Sequence, residues 1–183
     1  GQRLGLLCNP ASIGPGFVHA RQLIDRRFPG RLRALFSPQH GFHAEKQDNM
    51  IESADLVDPL RSLPVFSLYG ATRVPTPEMF ADIDVLVVDL QDVGTRVYTF
   101  VTTLSYCMET ARDCGKRVLV LDRPNPVGGD CVEGGLLRPE WASFVGRYPV
   151  PMRHGLTIAE LARLFNGRFG IGCELEVLPM SGW

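Results

Sequence analysis

An α/β fold, with a mostly parallel sheet and helices on both faces, is what this sequence predicts. Three observations predict it. The run Val85-Leu86-Val87-Val88 is apolar at consecutive positions, as in a strand buried on both faces. Strand-like and helix-like runs alternate along the chain, the order that yields parallel strands joined by helical crossovers. A helix start is written out in full near the end of the chain. Thr157 and Glu160 stand at capping-box spacing, with Leu156 and Leu161 as a hydrophobic staple.

Leu4 to Cys8 reads as the first strand and Val18 to Phe28 as the first helix. Leu32 to Phe36 is the second strand. Gln39 to Leu63 then breaks the alternation. It is polar and irregular, and reads as a long functional loop with room for one short helix. Val65 to Leu68 is the third strand and Val85 to Leu90 the fourth. Thr99 to Cys114 is a long helix, because Phe100, Leu104, Met108 and Ala111 recur at helical spacing and Gly115 stops it. Val118 to Leu121 is the fifth strand. Pro124 to Leu137 is a second irregular stretch, rich in Gly and Pro. The capped helix runs from Thr157 to Asn166, Gly167 ends it, and Leu175 to Leu178 is the last strand.

Composition narrows the function. A chain of 183 residues that is 45% hydrophobic suits one compact domain, here expected to be excised from a larger protein. It opens almost directly in a strand, so a missing leader says nothing about the parent protein. The net charge of −1, without a block of like charges, speaks against a nucleic-acid footprint or a polybasic membrane patch. No apolar run is long enough to span a bilayer. Cys8, Cys107, Cys114, Cys131 and Cys173 form no CxxC pair and read as buried free thiols rather than metal ligands or disulfides.

Parallel strands deliver their carboxyl ends to one edge, where ligands bind in such sheets. Asn9 follows the first strand. Ser37, Gln39 and His40 follow the second, Tyr69 and Gly70 the third. Asp89, Gln91 and Asp92 follow the fourth, and Asp122, Arg123 and Asn125 the fifth. The common cofactor signatures are absent. The first loop has no GxGxxG, and its Pro15 removes a backbone donor that a pyrophosphate would need. There is no Walker A sequence and no GxSxG elbow. His40, His43, Glu45 and Asp48 fit no strong zinc signature. Neither cofactor nor metal is expected.

Carboxylates remain. Asp89 and Asp92 bracket the end of a buried strand, where partial burial and mutual repulsion split acid from base, the division of labour that glycoside hydrolysis uses. Asp92 equally suits a turn residue or a partner for Arg96. Asp122 and Arg123 equally suit an internal ion pair. Tyr69 and Tyr98 line a sugar site or pack at the core edge. Arg153 offers a cation to an anionic ligand, and His154 a structural hydrogen bond.

Several segments together resemble one family. They are Ser37-Pro38-Gln39-His40-Gly41-Phe42, Ser67-Leu68-Tyr69-Gly70, Asp89 through Thr99, and Leu121 through Gly129. Ser143-Phe144-Val145-Gly146, Arg153-His154-Gly155-Leu156-Thr157 and Gly182-Trp183 complete the match. The chain is similar to the bacterial exo-β-N-acetylmuramidase family, long catalogued only as a conserved domain of unknown function. The resemblance implies a Rossmann-like domain over residues 1–183, a smaller C-terminal domain beyond it, and an active site in the cleft near their junction. It implies release of N-acetylmuramic acid from the non-reducing ends of peptidoglycan fragments, and a place in the cell envelope, periplasm or outside the cell. One position departs from the pattern. The family typically has glutamate where this chain has Gln39, and glutamine has no titratable proton. Three outcomes stay open. Glu45 supplies the carboxyl from a shifted position; Asp89 or Asp92 carries the reaction while Gln39 orients sugar or water; or the protein binds glycan without cleaving it. On this reading Asp89 and Glu45 are the acid and base candidates. Asp92, Gln91 and Asn125 hold sugar hydroxyls or the acetamido group, and Arg123 or Arg153 meets the lactyl carboxylate. Asn9, Gln39, His40, Tyr69, Arg96, Tyr98, Asp122 and His154 complete the expected binding surface.

Overall fold

The structure is a computed structural model that describes residues 1–44, 51–59 and 61–182. Its strands are β1 (Leu4–Cys8), β2 (Leu32–Ser37), β3 (Leu56–Asp58), β4 (Leu63–Ser67), β5 (Val85–Asp89), β6 (Arg117–Leu121) and β7 (Glu174–Leu178). They form one sheet in the order β3-β4-β2-β1-β5-β6-β7. Every neighbouring pair is parallel except β3 with β4. Leaving out β3, the parallel strands run 3-2-1-4-5-6 in chain order, the Rossmann arrangement, and the order reverses between β1 and β5.

Both faces of the central strands are buried, because no polar residue interrupts Val85 to Val88. Leu7, Leu86, Val88, Val118 and Val120 point to the side covered by α2 (Phe100–Asp113) and α3 (Ile158–Gly167). Leu6, Cys8, Leu35, Val85 and Val87 point to the other side, against α1 (Ala20–Arg27). The α2 stripe of Phe100, Leu104, Met108 and Ala111 is wholly in the core.

The start of α3 is built as its sequence spells it. The Thr157 hydroxyl accepts from Glu160 N at 3.3 Å, and Glu160 Oε2 accepts from Thr157 N at 2.8 Å. Asp122, from the end of β6, adds a second cap. Its Oδ1 accepts from Ala159 N and its Oδ2 from the Thr157 hydroxyl, both at 3.1 Å. A carboxylate there also complements the positive end of the helix dipole.

Two expectations need correction. The stretch Gln39 to Leu63 is not wholly a loop. It contains the edge strand β3, antiparallel to β4, with Asp58 opposite Leu63. Three residues are too few to show a period, and Pro64, second residue of β4 and opposite Val57 of β3, disguises the start of that strand. The first helix is also shorter than Val18 to Phe28. A 3₁₀ turn (Pro15–Phe17) precedes it, and His19 caps it by accepting from Arg21 N at 3.2 Å.

The amino ends of β1 and β5 are clamped together. Arg3 Nη2 donates to Asp84 Oδ1 at 2.7 Å, and the Arg3 backbone N to Asp84 Oδ2 at 2.8 Å. These bonds hold the Asp84 carboxyl well down, to about 2. A depressed carboxylate stabilises the fold above its unfolded pKa and stops doing so as pH falls through the folded value. Asp84→Asn is therefore less stable than wild type at pH 6 in urea unfolding, with the gap closing between about pH 4 and pH 2. A gap that does not change with pH contradicts the clamp. Asp122→Ala removes the second cap of α3 and lowers stability by about 1–2 kcal/mol in the same measurement; an unchanged midpoint contradicts that role.

Candidate functional site

The carboxyl ends of β1 and β5 meet where the strand order reverses. Asp89 closes β5 and is 4% exposed. Arg123, after β6, grips both its oxygens: Nε donates to Oδ1 at 2.5 Å and Nη2 to Oδ2 at 3.0 Å. Nη2 also donates to the Ile13 carbonyl at 3.0 Å, which ties in the loop after β1. A carboxylate held bidentately inside the molecule is a brace. Asp89 is thus a buried, paired carboxylate rather than an open one, and Arg123 is not a free cation. The expected Asp122–Arg123 pair is likewise replaced, since Asp122 caps α3 and accepts only from the backbone N of Arg123.

Other expected binders already make hydrogen bonds or ring contacts within the fold. Asn9 is buried, accepts from the Ser12 hydroxyl through Oδ1 at 3.0 Å and donates to the Gln91 carbonyl at 3.3 Å. The Gln91 amide donates to the carbonyls of Asp92 at 2.8 Å and Pro124 at 3.0 Å. Asn125 accepts from Val127 N and donates to the Leu156 carbonyl. Arg96 donates to the carbonyls of Val150 at 2.6 Å and Gly135 at 2.9 Å, not to Asp92. Arg153 pairs with Glu133 at 2.9 Å and donates to the Val127 carbonyl. Tyr69 is buried against Phe144, with ring centroids 5.6 Å apart. These residues stitch irregular loops whose backbone groups lack sheet or helix partners, which is why the loops need so many Asn, Gln and Arg side chains.

A smaller set remains at the rim. Gln39 follows β2, and its Oε1 accepts from the Thr99 hydroxyl at 2.7 Å. Among the described residues its amide nitrogen carries no hydrogen bond. His40 has φ +79 and lies 6.4 Å from the Tyr98 ring in a stacked orientation, and Tyr98 packs edge-on to Phe100 at 4.5 Å. Burial and the negative charge of Asp92 push the Tyr98 phenol up, so it stays a neutral donor.

Asp92 itself is buried. Its Oδ2 accepts from Gly94 N at 2.9 Å, a side-chain turn. His154 Nε2 lies 3.5 Å from the same oxygen. His154 Nδ1 accepts from Leu156 N at 3.1 Å, which leaves the ring proton of the neutral imidazole on Nε2, facing Asp92. Among the described residues, Asp92 Oδ1 has no hydrogen-bond partner. A buried carboxylate oxygen rarely stays unsatisfied, and beside an open rim a ligand is the natural partner. Gly94, two residues on, lines a groove of about 440 Å³ together with Thr95, Val127 and Met152. Gly94 sits at φ +82, and a Cβ there would meet Asn125 Oδ1 at 2.3 Å, so the turn presenting Asp92 requires glycine.

Asp92 is thus both turn residue and site candidate, while Glu45 lies outside the described residues. Among the described residues no three of His, Cys, Asp and Glu converge as metal ligands. Thr99 and Ser12 were not anticipated. Thr99 fixes Gln39, and Ser12 donates to the carbonyl of Asp89 as well as to Asn9. Ser12 stands three residues after Asn9, a spacing that signals a side-chain turn.

The chain is similar to known proteins over its whole length. The model of a family described as exo-beta-N-acetylmuramidase NamZ, N-terminal, matches residues 4–183. The peptidoglycan beta-N-acetylmuramidase NamZ of Bacillus subtilis (strain 168) is 46% identical over all 183 residues. Two crystal structures of DUF1343 family proteins from Bacteroides fragilis superpose on the whole chain, at TM-scores of 0.91 and 0.83 and identities of 39% and 30%. The chain spans 44% of the Bacillus protein and 46% and 48% of the two Bacteroides chains.

The brace makes a direct prediction. Arg123→Met strands a buried carboxylate and costs about 3 kcal/mol or more in urea unfolding, in the range for a broken buried pair. A loss below about 0.5 kcal/mol, the level of an ordinary surface change, contradicts the brace.

Proposed function

We propose a function from one premise: this chain belongs to the exo-β-N-acetylmuramidase NamZ N-terminal family. The protein that carries it is a glycoside hydrolase that removes N-acetylmuramic acid from the ends of peptidoglycan fragments. This domain supplies the wall against which the terminal sugar is held. The observation that carries the reading is Asp92 Oδ1, buried and unpartnered among the described residues, beside His154 and two residues before Gly94, which lines an open groove.

Each rim group has a role its chemistry supports. Asp92 is the carboxyl that exchanges a proton with the glycosidic oxygen or with water. His154 stands beside it, with Nε2 3.5 Å from Oδ2 and itself without a hydrogen-bond partner among the described residues, a second polar group for a ligand to meet. Tyr98 remains a phenol and donates to a sugar oxygen. Gln39 does no proton transfer. Thr99 fixes its carbonyl end, so its amide nitrogen turns to an acceptor on the sugar. Glu45, six residues after Gln39 in the sequence, is the second carboxyl that the reaction needs.

The test uses the full-length protein and a disaccharide with N-acetylmuramic acid at its non-reducing end. Asp92→Asn lowers kcat by about 10²–10⁴-fold, the usual range for a lost acid or base, with a smaller change in KM. Glu45→Gln falls in the same range. Unchanged turnover in Asp92→Asn removes that residue from the mechanism. Gln39→Glu keeps the bond from Thr99, because a carboxylate accepts it as an amide oxygen does. Turnover that appears only in Gln39→Glu would make the natural protein a glycan binder rather than a hydrolase.

A further inference from the structure

N-Acetylmuramic acid differs from N-acetylglucosamine by a lactyl ether that ends in a carboxylate. A site selective for it needs a cation on the rim, and a guanidinium matches a carboxylate best. The arginines expected to serve are already occupied. Arg123 is spent on Asp89, and Arg153 on Glu133.

Beside this rim runs a row of aromatic rings. Tyr69, Phe144 and Tyr106 follow one another with centroid separations of 5.6 Å and 6.3 Å. An arginine lies over each end of the row, and the two are treated differently. Arg147 lies 4.2 Å over Tyr106, and Glu109 neutralises it through two contacts of 2.7 Å, while Ser105 takes a further N–H. Arg73 lies 4.5 Å over Tyr69 and 5.5 Å from the Phe144 ring. Its nearest carboxylate among the described residues is Glu52, at 3.9 Å, beyond hydrogen-bonding distance, and more than half exposed. The rings fix the plane of the Arg73 guanidinium without cancelling its charge, and its N–H edge is left for a ligand.

Strand register sets Arg73 near the sugar wall. β2 and β4 pair with Ser37 opposite Ser67. Gln39 and Tyr69 each follow that pair by two residues, in the loops that leave these neighbouring strands at the same edge. Arg73, held on Tyr69, therefore stands on the β4 side of Gln39, as Asp92 stands on the β5 side.

We infer that Arg73, held over Tyr69 and Phe144 and unpaired by any carboxylate at hydrogen-bonding distance among the described residues, is the specificity residue that receives the lactyl carboxylate of the terminal sugar. The inference rests on the function proposed above. Arg73 takes no part in proton transfer; it selects carboxylate-bearing sugar over its uncharged analogues.

The experiment compares full-length wild type, Arg73→Leu and Arg73→Lys on three disaccharides. Their terminal sugars are N-acetylmuramic acid, its lactyl amide, and N-acetylglucosamine. Wild type prefers the free acid. Arg73→Leu raises KM for the acid by about 10–100-fold, the size expected for a lost charged pair. It leaves KM for the amide within about twofold, so the preference disappears. Arg73→Lys restores part of the preference, because the charge returns without the bidentate fork. A preference undiminished in Arg73→Leu overturns this inference and leaves the proposed function standing. Wild-type protein that neither binds nor cleaves the free-acid sugar overturns both.

Discussion

The bidentate pair between Arg123 and Asp89 is the constraint on which the rest of the rim depends. β5 is apolar and buried until its last residue, and there a carboxylate enters a site that is almost fully desolvated. Such a group is tolerated only with a matched partner. Arg123 comes from the neighbouring loop after β6 and reaches across to the Ile13 carbonyl in the loop after β1. One guanidinium thus joins three strand ends where the strand order reverses. The crevice at this edge has the same geometry in other open α/β sheets, because diverging crossovers leave a gap there. The Arg3–Asp84 clamp at the opposite end keeps the same two strands in register.

That brace divides the polar residues into two populations. Asn9, Gln91, Arg96, Asp122, Asn125 and Arg153 satisfy backbone groups of loops that no sheet or helix ladder reaches. Each such bond is worth only about 1 kcal/mol, but leaving a buried carbonyl or amide unmet costs more. Gln39, Tyr98 and Asp92 form the second population, each with a polar atom that carries no hydrogen bond among the described residues. Rigidity in the first population keeps the second in place, as a binding wall requires.

Much of this was legible in the residues. The Val85 to Val88 run, the α2 stripe and the Thr157–Glu160 box are local patterns, and the structure repeats them closely. The gathering of Asp89, Asp92, Gln39 and His40 at one edge followed from strand polarity alone. The choice between Asp89 and Asp92 was not legible. Both are acids beside the same strand end, and what separates them is Arg123, 34 residues away in sequence. The spacing of Asp92 and Arg96 suggested a pair, but Gly94 at φ +82 turns the chain, and Arg96 finds the carbonyls of Gly135 and Val150 instead. β3 escaped notice because an edge strand of three residues draws its stability from pairing with β4 rather than from its own pattern. Arg73 carries no signal in sequence either. Its setting depends on Phe144, brought beside Tyr69 only by the fold.

The claim at the centre of this account is that the carboxyl edge between β2 and β5 holds a muramic-acid sugar, with the free oxygen of Asp92 turned toward it. A crystal structure of the full-length protein with a terminal N-acetylmuramic acid disaccharide bound tests it directly. The account predicts a pyranose ring lying against Tyr98 and the Gln39 amide, with a sugar or water oxygen at hydrogen-bonding distance from Asp92 Oδ1. A sugar seated elsewhere, with Asp92 Oδ1 still unmet, would contradict it.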